Sequence, residues 1–174
     1  MLGKFFRGFV DGSLSTLGIV IGAYSASSSV IIAAGIGGAL ANGIFNVLSA
    51  FSAERADQYR ELRKIESAMV AKELKDSEVE FQIQKNTLRA GTVDGLATII
   101  GGAVPVLPYI WLDSSDAMFV ASGLVIVGIF AIGIYLGKLS RRNILLYGAK
   151  MALFGAVTAV LVYLIQWAII PASD

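Results

Sequence analysis

The feature that most constrains this chain is a stretch of 42 residues, 12–53, that contains no Asp, Glu, Lys or Arg. The hydrocarbon core of a bilayer is about 30 Å thick, and a helix needs roughly 20 apolar residues to cross it. The stretch is therefore long enough for two membrane helices. Its serine-rich centre, residues 25–29, is the expected turn between them.

The remainder of the chain also has a membrane composition, with 56% hydrophobic residues, 16% charged residues and a mean hydropathy of +0.72. Three more apolar stretches could cross a bilayer: 95–112, 117–137 and 151–173. Pro105 and Pro108 predict a kink near the outer end of the third helix. The predicted fold class is an all-α membrane protein with five transmembrane helices and a cytoplasmic helical extension between helices two and three.

Charge around the predicted spans is asymmetric. One side carries Lys4, Arg7, Lys138, Arg141 and Arg142, whereas the opposite loops carry Asp113 and Asp116. By the positive-inside rule the N terminus is expected in the cytosol and, with five spans, the C terminus on the opposite side. The expected organisation is helices one and two in residues 1–53, a charged cytoplasmic insert in residues 54–90, and helices three to five in residues 91–174.

The chain contains no Cys and no His, and its net charge is +1. Disulfides, thiol catalysis, imidazole bases and His-based zinc sites are thereby excluded, and nothing favours nucleic acid as a partner. We expect neither an enzyme nor a tightly bound cofactor. A metal ion would need oxygen donors, with or without a methionine sulfur, which suits Fe²⁺, Mn²⁺, Mg²⁺ or Ca²⁺.

A Gly-X-Val-Asp-Gly phrase occurs twice, at residues 8–12 and 91–95, and each copy opens an apolar stretch. A duplicated carboxylate at a membrane span indicates a functional site in two related halves, as in secondary transporters. The alternative is that Asp11 and Asp94 cap helices. We expect Asp11 to lie within the membrane, because phenylalanines extend its helix outward. We expect Asp94 to cap a helix, because basic and polar residues precede it.

Small residues recur at four-residue spacing in helix two, at Gly35, Ala39 and Gly43. This pattern is typical of closely packed membrane helices. With Gly18 and Gly22 in helix one, it predicts that two copies of the chain pair through helices one and two.

Three polar side chains, Asn42, Asn46 and Ser49, share one face of the otherwise apolar helix two. Polar groups at membrane depth need a polar partner or a wet pathway. They are therefore candidate pathway residues, or else hydrogen-bonding contacts between helices.

The charged insert lacks Gly and Pro from residue 52 to 74, which predicts that helix two continues out of the membrane. A second helix is expected to return towards Gly91, because a single strand would have no pairing partner. Two stripes could bind a divalent cation: Glu54, Asp57 and Glu61 on one face, and Glu66, Met69 and Glu73 on another. The alternative is a solvated helix whose acids pair with neighbouring Lys and Arg.

Several of these segments together resemble the vacuolar iron transporter family over nearly the whole chain. They are Asp-Gly at 11–12, Gly-Ala-Leu at 38–40 with Ser49, residues 52–63, Asp-Gly at 94–95, Gly-Gly-Ala-Val-Pro-Val-Leu-Pro at 101–108, and residues 136–148 and 155–158. The resemblance implies homodimers of five-helix subunits, with a pathway at the dimer axis lined by the first helices. It also implies export of Fe²⁺ or Mn²⁺ from the cytosol against protons, with metal collected on the acidic insert.

The resemblance also marks differences along the pathway. The family has an acid where this chain has Ala34, a Met where it has Asn42 and, in many members, a Glu where it has Asn46. Asp11 is the pathway acid that this chain keeps.

The sequence thus favours a dimeric exporter of Fe²⁺ or Mn²⁺ in which Asp11 of both subunits binds metal beside Asn42, Asn46 and Ser49. Two carboxylates at a symmetry axis repel each other, so one is expected to hold a proton when metal is absent, which would couple metal to protons. Two alternatives remain: a membrane scaffold of the same fold that does not transport, and a transporter or channel for another small solute.

Overall fold

All regular secondary structure in the described part of the chain is helical, with no strand. The structure is a computed structural model that describes residues 1–68, 78–140 and 143–169. Its elements are α1 (Leu2–Gly22), α2 (Ser28–Ala68), α3 (Glu78–Ala103), α4 (Ser114–Leu139), α5 (Ile144–Ile169) and a short 3-10 helix at Leu107–Ile110. The all-helical prediction is confirmed, and the predicted turn between the first two helices lies at residues 23–27.

Three helical segments are long and apolar enough to cross a membrane: Ser28–Glu61 within α2, Ser114–Leu139 and Ile144–Ile169. Large apolar side chains cover their outer surfaces; on α5, Phe154 is 72% exposed. Such extensive apolar surface is unfavourable in water and normal in lipid. The chain is therefore built as an integral membrane protein.

Helix α1 lies at the centre of the subunit, against α2, α3 and the α4–α5 hairpin. Its buried side chains Leu17, Val20 and Ile21 join residues of α2, α4 and the 3-10 helix in the apolar core. On the other side of α1, Gly8 and Gly12 lie directly on the main chain of α3. Because any side chain there would meet backbone atoms, these glycines set the close spacing of α1 and α3.

The small residues of α2 also pack within the subunit. Gly35 faces Val106, Ala39 faces Gly102, and Gly43 faces Gly95 and Ile99 of α3. The prediction that Gly35, Ala39 and Gly43 join two copies of the chain is therefore wrong.

The charged insert continues the membrane helices, as predicted. Helix α2 runs without a break to Ala68, and α3 begins at Glu78 as a helix rather than a strand. The predicted kink in helix three is corrected: α3 ends at Ala103, before Pro105. Proline supplies no main-chain N–H and disfavours the helical conformation in the residue before it, so the chain turns and re-forms only a 3-10 helix.

Candidate metal site

Asp11 lies in the interior of α1, not at its start. Eleven residues separate it from the last helical residue, Gly22, which corresponds to about 16 Å of helix rise. Measured along α2, its partners Asn42 and Asn46 lie about 21 and 27 Å from the start of that helix at Ser28. Asp11 therefore falls inside a 30 Å hydrocarbon core if α1 spans it, in the half nearer the start of α1. The expectation that α1 begins before Asp11 is confirmed, and the capping alternative is wrong for this residue.

A polar cluster forms around the Asp11 carboxylate, between α1 and α2. The side-chain amides of Asn42 and Asn46 both donate to Asp11 Oδ2, over 3.1 and 2.7 Å. Asn42 also donates to Ser15 Oγ at 2.9 Å, and Asn46 donates to Thr98 Oγ1 at 2.8 Å. Two of the predicted pathway residues are thus brought together with Asp11.

Sequence reasoning missed Ser15 and Thr98 as members of this cluster. The signal was present in the repeated phrase, because Ser15 follows Asp11 by four residues and Thr98 follows Asp94 by four. Extending the comparison of the two phrases by one helical turn would have identified a matching hydroxyl in each. Thr98 is completely buried, and its hydroxyl also donates to the main-chain oxygen of Asp94.

Asp94 has a different environment from the one predicted. It lies inside α3 rather than at its start, it is only 1% exposed, and it does not cap a helix. Arg7 of α1 binds its carboxylate through two nitrogens, with Nε to Oδ1 at 3.1 Å and Nη2 to Oδ2 at 2.6 Å. The expected asymmetry is therefore reversed within the subunit: Asp94 is the buried aspartate, and Asp11 is exposed on the subunit surface.

The surface of α2 beside Asp11 exposes small residues together with large apolar ones such as Phe45, which is 62% exposed. Ala34, Gly37 and Ala41 are exposed on α2, and no atom lies within 4 Å of a Cβ built on Gly37. Ser49 is exposed on the same helix, one turn beyond Asn46. These residues belong to the surface of α2 that packing within the chain leaves exposed.

The acidic stripes of the insert are only partly described. Asp57 and Glu61 are exposed on α2, and Glu61 lies 4.0 Å from Lys64. The side chains of Glu54 and Glu66, and all of Met69 and Glu73, lie outside the described part of the chain. Among the side chains that are described, no three acids converge into a metal-binding group.

The cluster therefore consists of one carboxylate with amide and hydroxyl groups, and no His or Cys is present in the chain to support hydrolytic or thiol chemistry. Asp and Asn oxygens are the donors that hard and borderline dications prefer. An intramembrane carboxylate of this kind is typical of ion pathways. The fold makes the chain a multi-helix membrane protein, and the polar cluster at Asp11 is compatible with the passage of ions.

Comparison with known proteins agrees with this class. The model of the VIT family matches residues 47–167. The chain is also 43% identical over 163 residues to "Uncharacterized protein MJ0645" of Methanocaldococcus jannaschii, covering 92% of this chain and 85% of that protein. The chain belongs to the VIT family, the vacuolar iron transporter family that its sequence resembles. Membership indicates a membrane metal-ion transporter, not an enzyme.

Proposed function

We propose that the protein is a homodimeric exporter that moves Fe²⁺ or Mn²⁺ out of the cytosol in exchange for protons. Each subunit would cross the membrane five times, with its N terminus and residues 54–90 in the cytosol and its C terminus on the opposite side. Helix α1 has 21 residues and α3 has 26, which correspond to about 31 and 39 Å of helix rise. The length of α1 suffices for a hydrocarbon core of about 30 Å. The part of α3 beyond residue 90 rises only about 20 Å, so the third crossing also needs the chain from the end of α3 through the 3-10 helix Leu107–Ile110.

The observation that carries the proposal is the position of Asp11 on an open surface of the subunit. A carboxylate inside the hydrocarbon core is costly when it faces lipid, so it must face a partner or water. Ala34, Gly37 and Ala41 are exposed small residues on α2, which would let another helix approach closely, and exposed Phe45 would supply apolar contact area. A second copy of the chain placed there would bring two Asp11 carboxylates towards one axis.

The same geometry supports exchange between a cation and a proton. Asn42 and Asn46 now direct their N–H groups at Asp11 Oδ2. A half-turn of each amide would exchange its nitrogen and oxygen, so that carbonyl oxygens and carboxylates face a bound dication. When the dication leaves, two facing carboxylates repel, which favours a proton on one of them.

Metal capture is assigned to the cytosolic continuation of α2. Glu54, Asp57 and Glu61 follow directly on the membrane part of that helix, and Glu66, Met69 and Glu73 come next in the sequence. Converging carboxylates from two subunits would concentrate a dication near the pathway. The exposure of Asp57 and Glu61 is compatible with this role and equally with a solvated helix.

Flux of Fe²⁺ and Mn²⁺ into proteoliposomes tests the proposal. Asp11→Asn should lower flux on the order of 100-fold, because it removes both the charged ligand and the proton acceptor. A pH gradient should no longer drive the residual flux. The matched control is Asp113→Asn: Asp113 precedes α4, makes no side-chain capping bond there, and should tolerate the change. Normal flux in Asp11→Asn would disprove the pathway.

Oxidative cross-linking tests the dimer, since the chain has no native Cys. Ser15→Cys lies beside Asp11 and should form a disulfide between subunits if the first helices line the axis. Leu153→Cys on α5 provides the control, because Leu153 is 63% exposed on a different face. Cross-linking through residue 153 and not through residue 15 would place the interface elsewhere.

A further inference from the structure

A cavity of about 270 Å³ lies between α2 and α3, apart from the Asp11 cluster. Three of its six lining residues are apolar and three are polar, and most of the lining surface is apolar. The lining residues are Phe51, Arg55, Ile83, Gln84, Thr87 and Leu88. The proposed transport pathway uses none of them.

The cavity contains a buried polar group whose hydrogen bonding is incomplete. Thr87 is 1% exposed, and its hydroxyl has no hydrogen-bond partner among the described residues. Two other threonines of α3, Thr92 and Thr98, donate to the main-chain oxygen four residues earlier. An unsatisfied buried hydroxyl is costly, and a rotation of the Thr87 side chain towards the cavity that it lines would let the hydroxyl donate to a ligand there.

Arg55 gives the cavity a positive charge. Its guanidinium carbon lies 5.5 Å from the centre of the Tyr59 ring, one turn along α2, and this contact restricts the position of the side chain. Gln84 contributes an amide. A guanidinium, an amide and a hydroxyl together can donate several hydrogen bonds to phosphate oxygens.

The cavity also lies at the depth of lipid headgroups. Phe51 is 23 residues from the start of α2 at Ser28, which corresponds to about 34 Å of helix rise. The hydrocarbon core is about 30 Å thick, so Phe51 and Arg55 fall at the membrane boundary opposite the α1–α2 turn. Leu88, which is 58% exposed, provides apolar surface on the membrane side of Thr87.

We propose that this cavity binds the phosphate group of an anionic phospholipid. Arg55 pairs with the phosphate, Thr87 and Gln84 donate hydrogen bonds to it, and the lipid chains extend along Leu88 and the neighbouring apolar surface. A lipid held in this way bridges α2 and α3 where both helices leave the membrane. The site is independent of which metal the protein transports.

Native mass spectrometry of the purified full-length protein with added phosphatidylglycerol or phosphatidylcholine tests this site. Phosphatidylglycerol should bind the parent protein more tightly. Arg55→Gln should weaken that binding by about tenfold and Thr87→Val by about threefold, from the usual strengths of charged and neutral hydrogen bonds. Thr87→Ser keeps the hydroxyl and should bind nearly as well as the parent. Arg60→Gln, which removes an exposed charge elsewhere on α2, is the matched control.

Thermal unfolding in detergent supplies a second readout. Thr87→Val removes the unsatisfied hydroxyl, so the lipid-free variant should melt at a higher temperature than the parent and gain less from phosphatidylglycerol. Equal lipid binding by Arg55→Gln and the parent would overturn the proposal, as would equal weakening by Arg60→Gln, which would indicate only general charge attraction. Displacement of the lipid by millimolar inorganic phosphate would show a site for a soluble anion instead.

Discussion

The two copies of the Gly-X-Val-Asp-Gly phrase place their aspartates in opposite environments. In each helix the two glycines of the phrase pack against a neighbour: Gly8 and Gly12 of α1 on α3, and Gly91 and Gly95 of α3 on α2. Because both aspartates have the same spacing from the packed glycines, each projects in a similar direction relative to the packed face of its own helix. What differs is the element found in that direction.

For Asp94 that element is α1, which supplies Arg7 and buries the carboxylate in an ion pair. For Asp11 the subunit supplies the two amides of α2 but leaves the carboxylate exposed. The same local sequence thus makes a structural charge pair in one half and an open polar site in the other. A repeated motif therefore specifies helix packing more reliably than it specifies function.

The largest loss of stability is expected when Arg7 is removed from its ion pair with Asp94. Arg7→Gln leaves Asp94 buried without a cation and should lower the free energy of unfolding by about 3 kcal/mol. Asp94→Asn leaves behind an arginine whose side chain is 63% exposed, so it should cost only about 1 kcal/mol. Unfolding of the purified variants in detergent measures both. The double variant Arg7→Gln with Asp94→Asn should recover most of the loss, and a double variant no better than Arg7→Gln alone would contradict the assignment.

A smaller loss of stability is expected when a glycine that packs α1 on α3 is replaced. In Gly12→Ala the new methyl group would meet the main chain at Thr98, and separating α1 from α3 should cost about 2 kcal/mol. Gly22→Ala is the control, since no atom lies within 4 Å of a Cβ at that position. A melting temperature for Gly12→Ala equal to that of Gly22→Ala would mean that α1 and α3 are not closely packed.

The smallest effect is expected on metal affinity, from removal of the Thr98 hydroxyl that links α3 to the Asp11 cluster through Asn46. Thr98→Val removes the acceptor for Asn46 while leaving the bond from Asn46 to Asp11. Mn²⁺ affinity by isothermal titration should fall about threefold, the value of one neutral hydrogen bond. Thr92→Val is the matched control, because that hydroxyl bonds only within α3, to Leu88. Equal changes in both variants would show that Thr98 does not support the Asp11 site.

Much of the fold was predictable because it depends on local composition. The uncharged stretch predicted the α1–α2 hairpin. The absence of Gly and Pro from residues 52–74 predicted that α2 continues into the charged insert. The spacing of Asn42 and Asn46 predicted a shared polar face, since helical periodicity alone determines which residues lie together. Family membership was also evident from the order of these segments along the chain.

Tertiary contacts decided the rest. Nothing local distinguishes a glycine that packs inside a subunit from one that packs between subunits, so Gly35, Ala39 and Gly43 were assigned to the wrong partner. Nor could the sequence show that Arg7 reaches Asp94, because the two are 87 residues apart and meet only when α1 packs on α3. The sequence by itself determined that a carboxylate stands at the start of each of two apolar stretches. Their roles depended on which helix lies beside each one, because a neighbouring cation turns a buried carboxylate into a structural pair, while its absence leaves an open polar site.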